Sequence, residues 1–188
     1  MKNSIPPKTQ TGSAAIEFPF IVLAAIIILW GFVATYRLFN LQIQLDNVTY
    51  NLVSALSSTQ FKLKSLGRKE LPEELALQLI NLAERYLPNS IDHSNIGLLL
   101  ESRIFDEATS RWQYTQPLHT GIHCQGKQVI QKLNNLIVDA RNNDPALKGK
   151  QSTLIQLTLC VNTPFNYKRL ELPKRLSSSS AVIGKYYG

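Results

Sequence analysis

An uncharged apolar run from Phe18 to about Thr35, with one carboxylate, Glu17, at its threshold, limits what this chain can become. A hydrocarbon core about 30 Å thick takes roughly 20 mostly apolar residues as helix, and Phe18 to Tyr36 supplies about that length. A carboxylate at membrane depth costs about 3 kcal/mol even on lenient insertion scales, so Glu17 calls for a partner of opposite charge.

Gly12 lies five residues before Glu17. If the chain is cut after Gly12, Ser13 carries a new amino group on the same helix face as Glu17. The two charges can neutralise each other within one chain or between neighbours. In the second case Glu17 is relieved only when another amino terminus arrives at the right height, which is a register mechanism for stacking subunits. A secretory signal would have a shorter apolar region of about 7 to 15 residues followed by a small-x-small site. This run is longer and ends in Thr35-Tyr36-Arg37, so cleavage there is not expected. An ordinary signal anchor with Glu17 as an incidental boundary charge is the competing reading.

Lys2 and Lys8, then Gly12, Ser13-Ala14-Ala15-Ile16, Glu17, Phe18 and the apolar helix form an order that resembles the type IV prepilins. Within that class it is similar to the tight adherence pseudopilins of the TadE/TadF type, closest to TadF. The resemblance implies cleavage by a membrane aspartyl prepilin peptidase after Gly12, with Ser13 as the mature first residue and Glu17 as the assembly carboxylate at the fifth. Major Flp pilins usually carry tyrosine next; Phe18 keeps the ring for packing and drops the hydroxyl. The implied role is a minor pilin or pseudopilin of an Flp-type pilus, active in assembly, adherence and biofilm formation, without enzymatic activity or cofactor. The implied partners are the prepilin peptidase, a TadE-like pseudopilin, the major Flp pilin and the inner-membrane assembly platform with its ATPase. The implied place is the bacterial inner membrane, amino terminus cytoplasmic and head periplasmic, and then the pilus itself, in the fibre or at its base or tip.

Four regions are expected: a leader over 1–12, a single membrane span over 13–36, an amphipathic helical stalk over 37–66 and a head over 67–188. Pro19 is tolerated best in a first helical turn, which places the start of regular helix near Phe18 with Ser13 to Glu17 loosely wound. Tyr36 and Arg37 suit an interfacial anchor. Past Arg37, the residues Leu38, Leu41, Leu45, Val48, Leu52 and Ala55 recur at spacings of three and four among Asn and Gln, a narrow apolar seam on a polar helix. That seam can pack on the chain's own head or on other subunits.

A second helix is signalled from Pro72 to Leu87, with Glu73 and Glu74 in its first turn and Leu75, Leu79, Leu82, Ala83 and Tyr86 on one face. Leu98, Leu100 and Ile104 alternate with Glu101 and Arg103 as a half-buried strand, and Arg111 to Thr115 repeats the pattern, so a hairpin across Asp106 to Ser110 is expected. A third helix is expected from Gly126 to Arg141, on a stripe of Val129, Ile130, Leu133, Leu136, Ile137 and Ala140. Thr153 to Val161 is the clearest strand. The tail from Pro164, with its serines at Ser177 to Ser180, is expected to be partly mobile. This order predicts an α+β fold: a long transmembrane and stalk helix followed by a small head with a mostly antiparallel sheet.

Both cysteines, Cys124 and Cys160, fall in the region expected outside the cytoplasmic membrane. They form either a disulfide, worth about 2 to 4 kcal/mol, or two buried thiols. His119, His123 and Cys124 do not make a convincing metal or catalytic set, because zinc needs three or four convergent ligands and a cysteine nucleophile needs a placed base. No phosphate loop, dinucleotide fingerprint or nucleophile elbow occurs. The formal charge of +7 is scattered and reads as solubility or attraction to an acidic partner rather than nucleic-acid binding. The alternative to the pilin reading is an unprocessed, single-pass anchored periplasmic binding or scaffold protein.

Overall fold

The computed structural model describes residues 14–65, 73–106, 111–114, 116–126, 129–136, 151–164 and 173–187. The chain divides into two compact units, one ending at Asn40 and one beginning at Leu41. The fold is mixed α+β: a long apolar helix at the amino-terminal end of the chain and a head built on an antiparallel sheet.

Helix α1 runs from Ala14 to Ser65 without a break, 52 residues in all. It starts ahead of the expected Phe18 and carries Pro19 inside it. Proline removes one amide donor, so the Ala15 carbonyl loses its partner one turn on. Ala14 and Ala15 are strong helix formers, and the first amides of any helix lack intrahelical acceptors. A single lost bond near the end therefore leaves the helix intact. In the first unit the apolar side chains of α1 are exposed from Phe18 through Val33, and Thr35 Oγ1 donates to the Gly31 carbonyl at 2.8 Å.

The second unit holds the rest of α1, helix α2 (Glu73–Tyr86) and five strands: β1 (Ile96–Asp106), β2 (Arg111–Tyr114), β3 (Leu118–Gly121), β4 (Gln151–Asn162) and β5 (Arg175–Tyr187). The sheet order is β2-β1-β4-β5, with β3 also paired to β1. Leu100 lies opposite Leu118 and Arg103 opposite Tyr114, so β3 and β2 share one edge of β1 in succession while β4 takes the other. All the pairings are antiparallel.

Strand β4 is buried from Ser152 to Val161, which marks it as the centre of the sheet, covered on both faces. Its register with β1 sets Leu157, Leu159 and Val161 beside Leu100, Leu98 and Ile96 on one face. Helix α2 packs against β1 and β3, burying Ala76, Leu79, Ile80 and Ala83. Gln42 Nε2 reaches the Ser177 carbonyl of β5 at 3.5 Å, which sets that part of α1 alongside the far strand. On the opposite face, Leu99 and Cys160 form a small core with Cys124.

The pairing of Gly97 with Gly121 is an enforced close approach. A Cβ at Gly97 would meet the Ile122 carbonyl, and one at Gly121 (φ 77°) the Ile96 carbonyl. Glycine alone fits that crossing and that left-handed backbone.

Two further expectations are corrected, and one strand is new. The supposed third helix is a 3₁₀ turn over Ile130–Leu136 with a kink at Leu133 (φ −89°, ψ 21°). Ile130 is buried while Val129 and Leu136 are exposed, because three residues per turn cannot align a stripe spaced for 3.6; Ile137 and Ala140 lie outside the described residues. The tail expected to be mobile contains β5, a 13-residue strand paired with β4 along most of its length. The short strand β3, not expected from the sequence, closes the upper part of β1.

Candidate functional site

Two regions carry the chemistry singled out in the sequence: the start of α1, and the sheet face around the two cysteines. Glu17 lies in the first turn of α1 and is exposed, next to Phe18 at 69% exposure. A carboxylate there faces the positive end of the helix dipole and the amides left without intrahelical acceptors. Gly12 and Ser13 lie outside the described residues. The helix from Glu17 onward is the one among the described residues long and apolar enough to cross a membrane, and its apolar window is almost wholly exposed. Unburied Phe, Ile and Leu at that density are stable only against lipid or another protein.

The seam behaves differently in its successive turns. Leu38 is half-buried, whereas Leu41, Leu45, Val48 and Leu52 are buried, Leu45 completely. Ala55 is exposed, and Val53 and Leu56 take the buried positions instead. A 3.5-residue pattern drifts around a 3.6-residue helix, so the last turn presents the following residue to the core. Thr49 is buried within this face and returns its hydroxyl to the Leu45 carbonyl at 2.7 Å. Beside the seam, Gln44, Asn47 and Asn51 of α1 face Leu82 and Tyr86 of α2 across an open groove of about 420 Å³. Its lining carries no charged residue, so it offers amides and apolar carbon rather than an ion site.

On the other side of the sheet, Cys124 is bonded to Cys160 with Cα atoms 5.7 Å apart, closing a separation of 36 residues. The loop carrying Cys124 is held again where Arg175 donates from Nη1 to the His123 carbonyl at 2.9 Å. Arg175 Nε also donates to Asn162 Oδ1 at 3.3 Å, so a residue of β5 ties the loop to the end of β4. The His119 and His123 rings stack with centroids 5.8 Å apart. Burial pushes the Glu101 carboxyl above its ordinary range, and the neighbouring His119 pulls it partly back. Separately, His93 Nδ1 and Glu84 Oε2 meet at 3.0 Å on the surface.

These groups do not assemble into a metal centre: among the described residues no cluster of three His, Cys, Asp or Glu could hold an ion. The Cys124 sulfur is consumed in the bridge and is not a thiolate nucleophile. What the described residues show instead is a bare apolar helix in the first unit and, in the second, a covalently stapled sheet. Sequence reasoning missed β5, because four successive serines read as low complexity. The signal was the run after them, Val182, Ile183, Tyr186 and Tyr187, which is rich in strand formers.

A family model described as "Putative tight adherence pilin protein F" (TadF) matches residues 7–185 of this chain. No curated protein and no solved structure matches it.

Proposed function

This chain belongs to the TadF family of tight adherence pilin proteins, and from that premise we propose that it is a minor pilin or pseudopilin of an Flp-type pilus, cut after Gly12 by a prepilin peptidase. The observation that carries the reading is the contrast within α1: apolar side chains stay bare from Phe18 onward, while the later turns bury Leu41, Leu45, Val48 and Leu52 in the head. A helix of this kind has one end made for lipid or neighbouring helices and one end committed to its own domain.

In this mechanism the chain waits in the inner membrane with its amino terminus cytoplasmic and its head periplasmic. Removal of the leader frees the Ser13 amino group. Glu17, set at the water boundary of the apolar helix, is then neutralised by the amino terminus of a neighbouring subunit, which selects the height at which helices stack. Phe18 packs at the same level. The TadE-like pseudopilin, the major Flp pilin and the assembly platform are the partners, and adherence and biofilm formation follow from the fibre. The head is large relative to the helix, which favours a minor component that primes, caps or anchors the fibre. Its work is structural and needs no cofactor.

The test is the intact mass and amino-terminal sequence of the protein purified from membranes of its own host. A chain starting at Ser13 supports processing and makes Glu17 the central assembly residue. A chain still starting at Met1 supports a permanently anchored scaffold and overturns the mechanism.

A further inference from the structure

Strand β5 forms an outer edge of the sheet. Among the described residues, β5 ends the strand order and pairs only with β4. Thr163 N donates to the Lys174 carbonyl at 2.9 Å, which makes that position a hydrogen-bonded pair. Antiparallel pairs alternate, so Leu176, Ser178, Ser180 and Val182 turn their backbone groups toward β4, and Ser177, Ser179, Ala181 and Ile183 turn theirs outward. The Gln42 side chain on the Ser177 carbonyl agrees with this assignment and caps that outward position.

The next three outward positions form an uncharged template. From Leu176 to Gly184 the sequence contains no charged residue, and it is bracketed by Lys174-Arg175 and Lys185. A bulge opposite Ser152 to Leu154 ends the regular edge just past Ile183. Natural edges are usually blunted by charge, proline or a bulge along their length. This edge has such devices only at its ends.

We propose that the outer edge of β5, centred on Ser179 and Ala181, is a docking site for an extended segment of a partner protein, about six uncharged, β-branched residues flanked by acidic ones. Main-chain hydrogen bonds to Ser179, Ala181 and Ile183 supply affinity, and small neighbouring side chains leave room for the incoming strand. The bracketing lysines and arginine select acidic flanks. They also disfavour a second copy of this chain: antiparallel pairing centred on Ser180, which uses the whole uncharged window, brings the basic end before Leu176 of one copy toward the basic end after Gly184 of the other. Like charges brought together across such a pair are destabilising.

The experiment uses the full-length chain in lipid nanodiscs and a synthetic peptide of about ten residues, alternating threonine and valine with paired glutamates at each end, beside a lysine-ended counterpart. Binding is followed by fluorescence anisotropy and by amide hydrogen exchange. The glutamate-ended peptide is expected to bind roughly tenfold or more tightly than the lysine-ended one, with the difference shrinking in high salt. It is expected to slow exchange at Ser179, Ala181 and Ile183 while leaving the already slow Ser178, Ser180 and Val182 unchanged. Ala181→Pro removes an outward amide without breaking a β4–β5 bond and should abolish binding. The wild-type exchange pattern decides the matter even if that variant does not fold. Slow exchange at the three outer amides in dilute chain without peptide overturns the proposal, because the edge is then already covered. Protection that rises with chain concentration overturns it in favour of a second copy. Equal binding of the two peptides, or binding of neither, overturns it as well. None of these outcomes bears on processing after Gly12, so this inference and the pilin reading fail separately.

Discussion

Arg175 donates to the His123 carbonyl from the first residue of β5, beside the bridge that joins Cys124 to Cys160 on β4. One loop is thus fastened to two adjacent strands, covalently to the central one and by a charge-assisted hydrogen bond to the edge. The small core of Leu99, Cys124 and Cys160 is closed by this double attachment.

Removing the covalent half has the larger effect. Cys160→Ser should lower the unfolding free energy of the head by about 2 to 4 kcal/mol, and Arg175→Ala, whose bonds are exposed, by about 1 kcal/mol or less. Denaturant titration of both variants with the wild type, with and without reductant, checks the order. Reductant should destabilise the wild type and Arg175→Ala but leave Cys160→Ser unchanged.

Two residues of α1 separated by two positions differ sharply in what truncation costs. Leu45 is fully buried, so Leu45→Ala should cost about 2 to 5 kcal/mol through lost transfer energy and a cavity. Ile43 is 57% exposed, and Ile43→Ala should change head stability by no more than about 0.5 kcal/mol. Thermal unfolding followed by near-ultraviolet dichroism separates the two.

The Glu101 carboxyl is raised above its ordinary value by burial, opposed by His119. The folded head therefore holds that proton more tightly than the unfolded chain does. This contribution favours folding while both states are protonated and is lost as pH rises from the ordinary carboxylate range through the raised value. Glu101→Gln should remove this loss, so its stability advantage over the wild type grows across that window. Unfolding midpoints of the two proteins at a series of pH values test the sign; an advantage that shrinks with rising pH contradicts it.

At the membrane end, Gly12→Val should block removal of the leader, whereas Glu17→Ala should permit it and impair incorporation into fibres. Immunoblots of membrane and sheared-pilus fractions from the host read both steps. Normal fibre incorporation of both variants removes the proposed role of Glu17.

The seam from Leu41 to Leu52, the helix Glu73–Tyr86 and the strand around Leu157 were legible in the sequence because each rests on its own periodicity. A stripe spaced three and four along a helix, or two along a strand, is printed in the order of residues before any contact forms. The β1–β2 hairpin was legible for the same reason. The limits of these elements were less so. Pro19 signals a start near Phe18, yet the helix extends past it to Ala14. Local preference prices one lost hydrogen bond but does not weigh it against the turns that follow.

By itself, the sequence determined the long apolar helix, the presence of Glu17 at its threshold and the α+β character of the head. These depend on residues near one another in the chain. The tertiary structure alone decided that Ser177 to Ser180 form part of a strand, that Gly97 and Gly121 cross, and that Cys124 and Cys160 meet. Serine has little strand preference of its own, and it becomes a strand here because β4 presents a ladder of backbone partners from a distant part of the chain. The Ile130–Leu136 segment followed the same logic in reverse: a helical pattern gave way to a tighter turn beside a loop stapled to the sheet. Long-range partners outweigh local propensity where the free energy of burial and pairing exceeds the fraction of a kcal/mol per residue by which propensities differ.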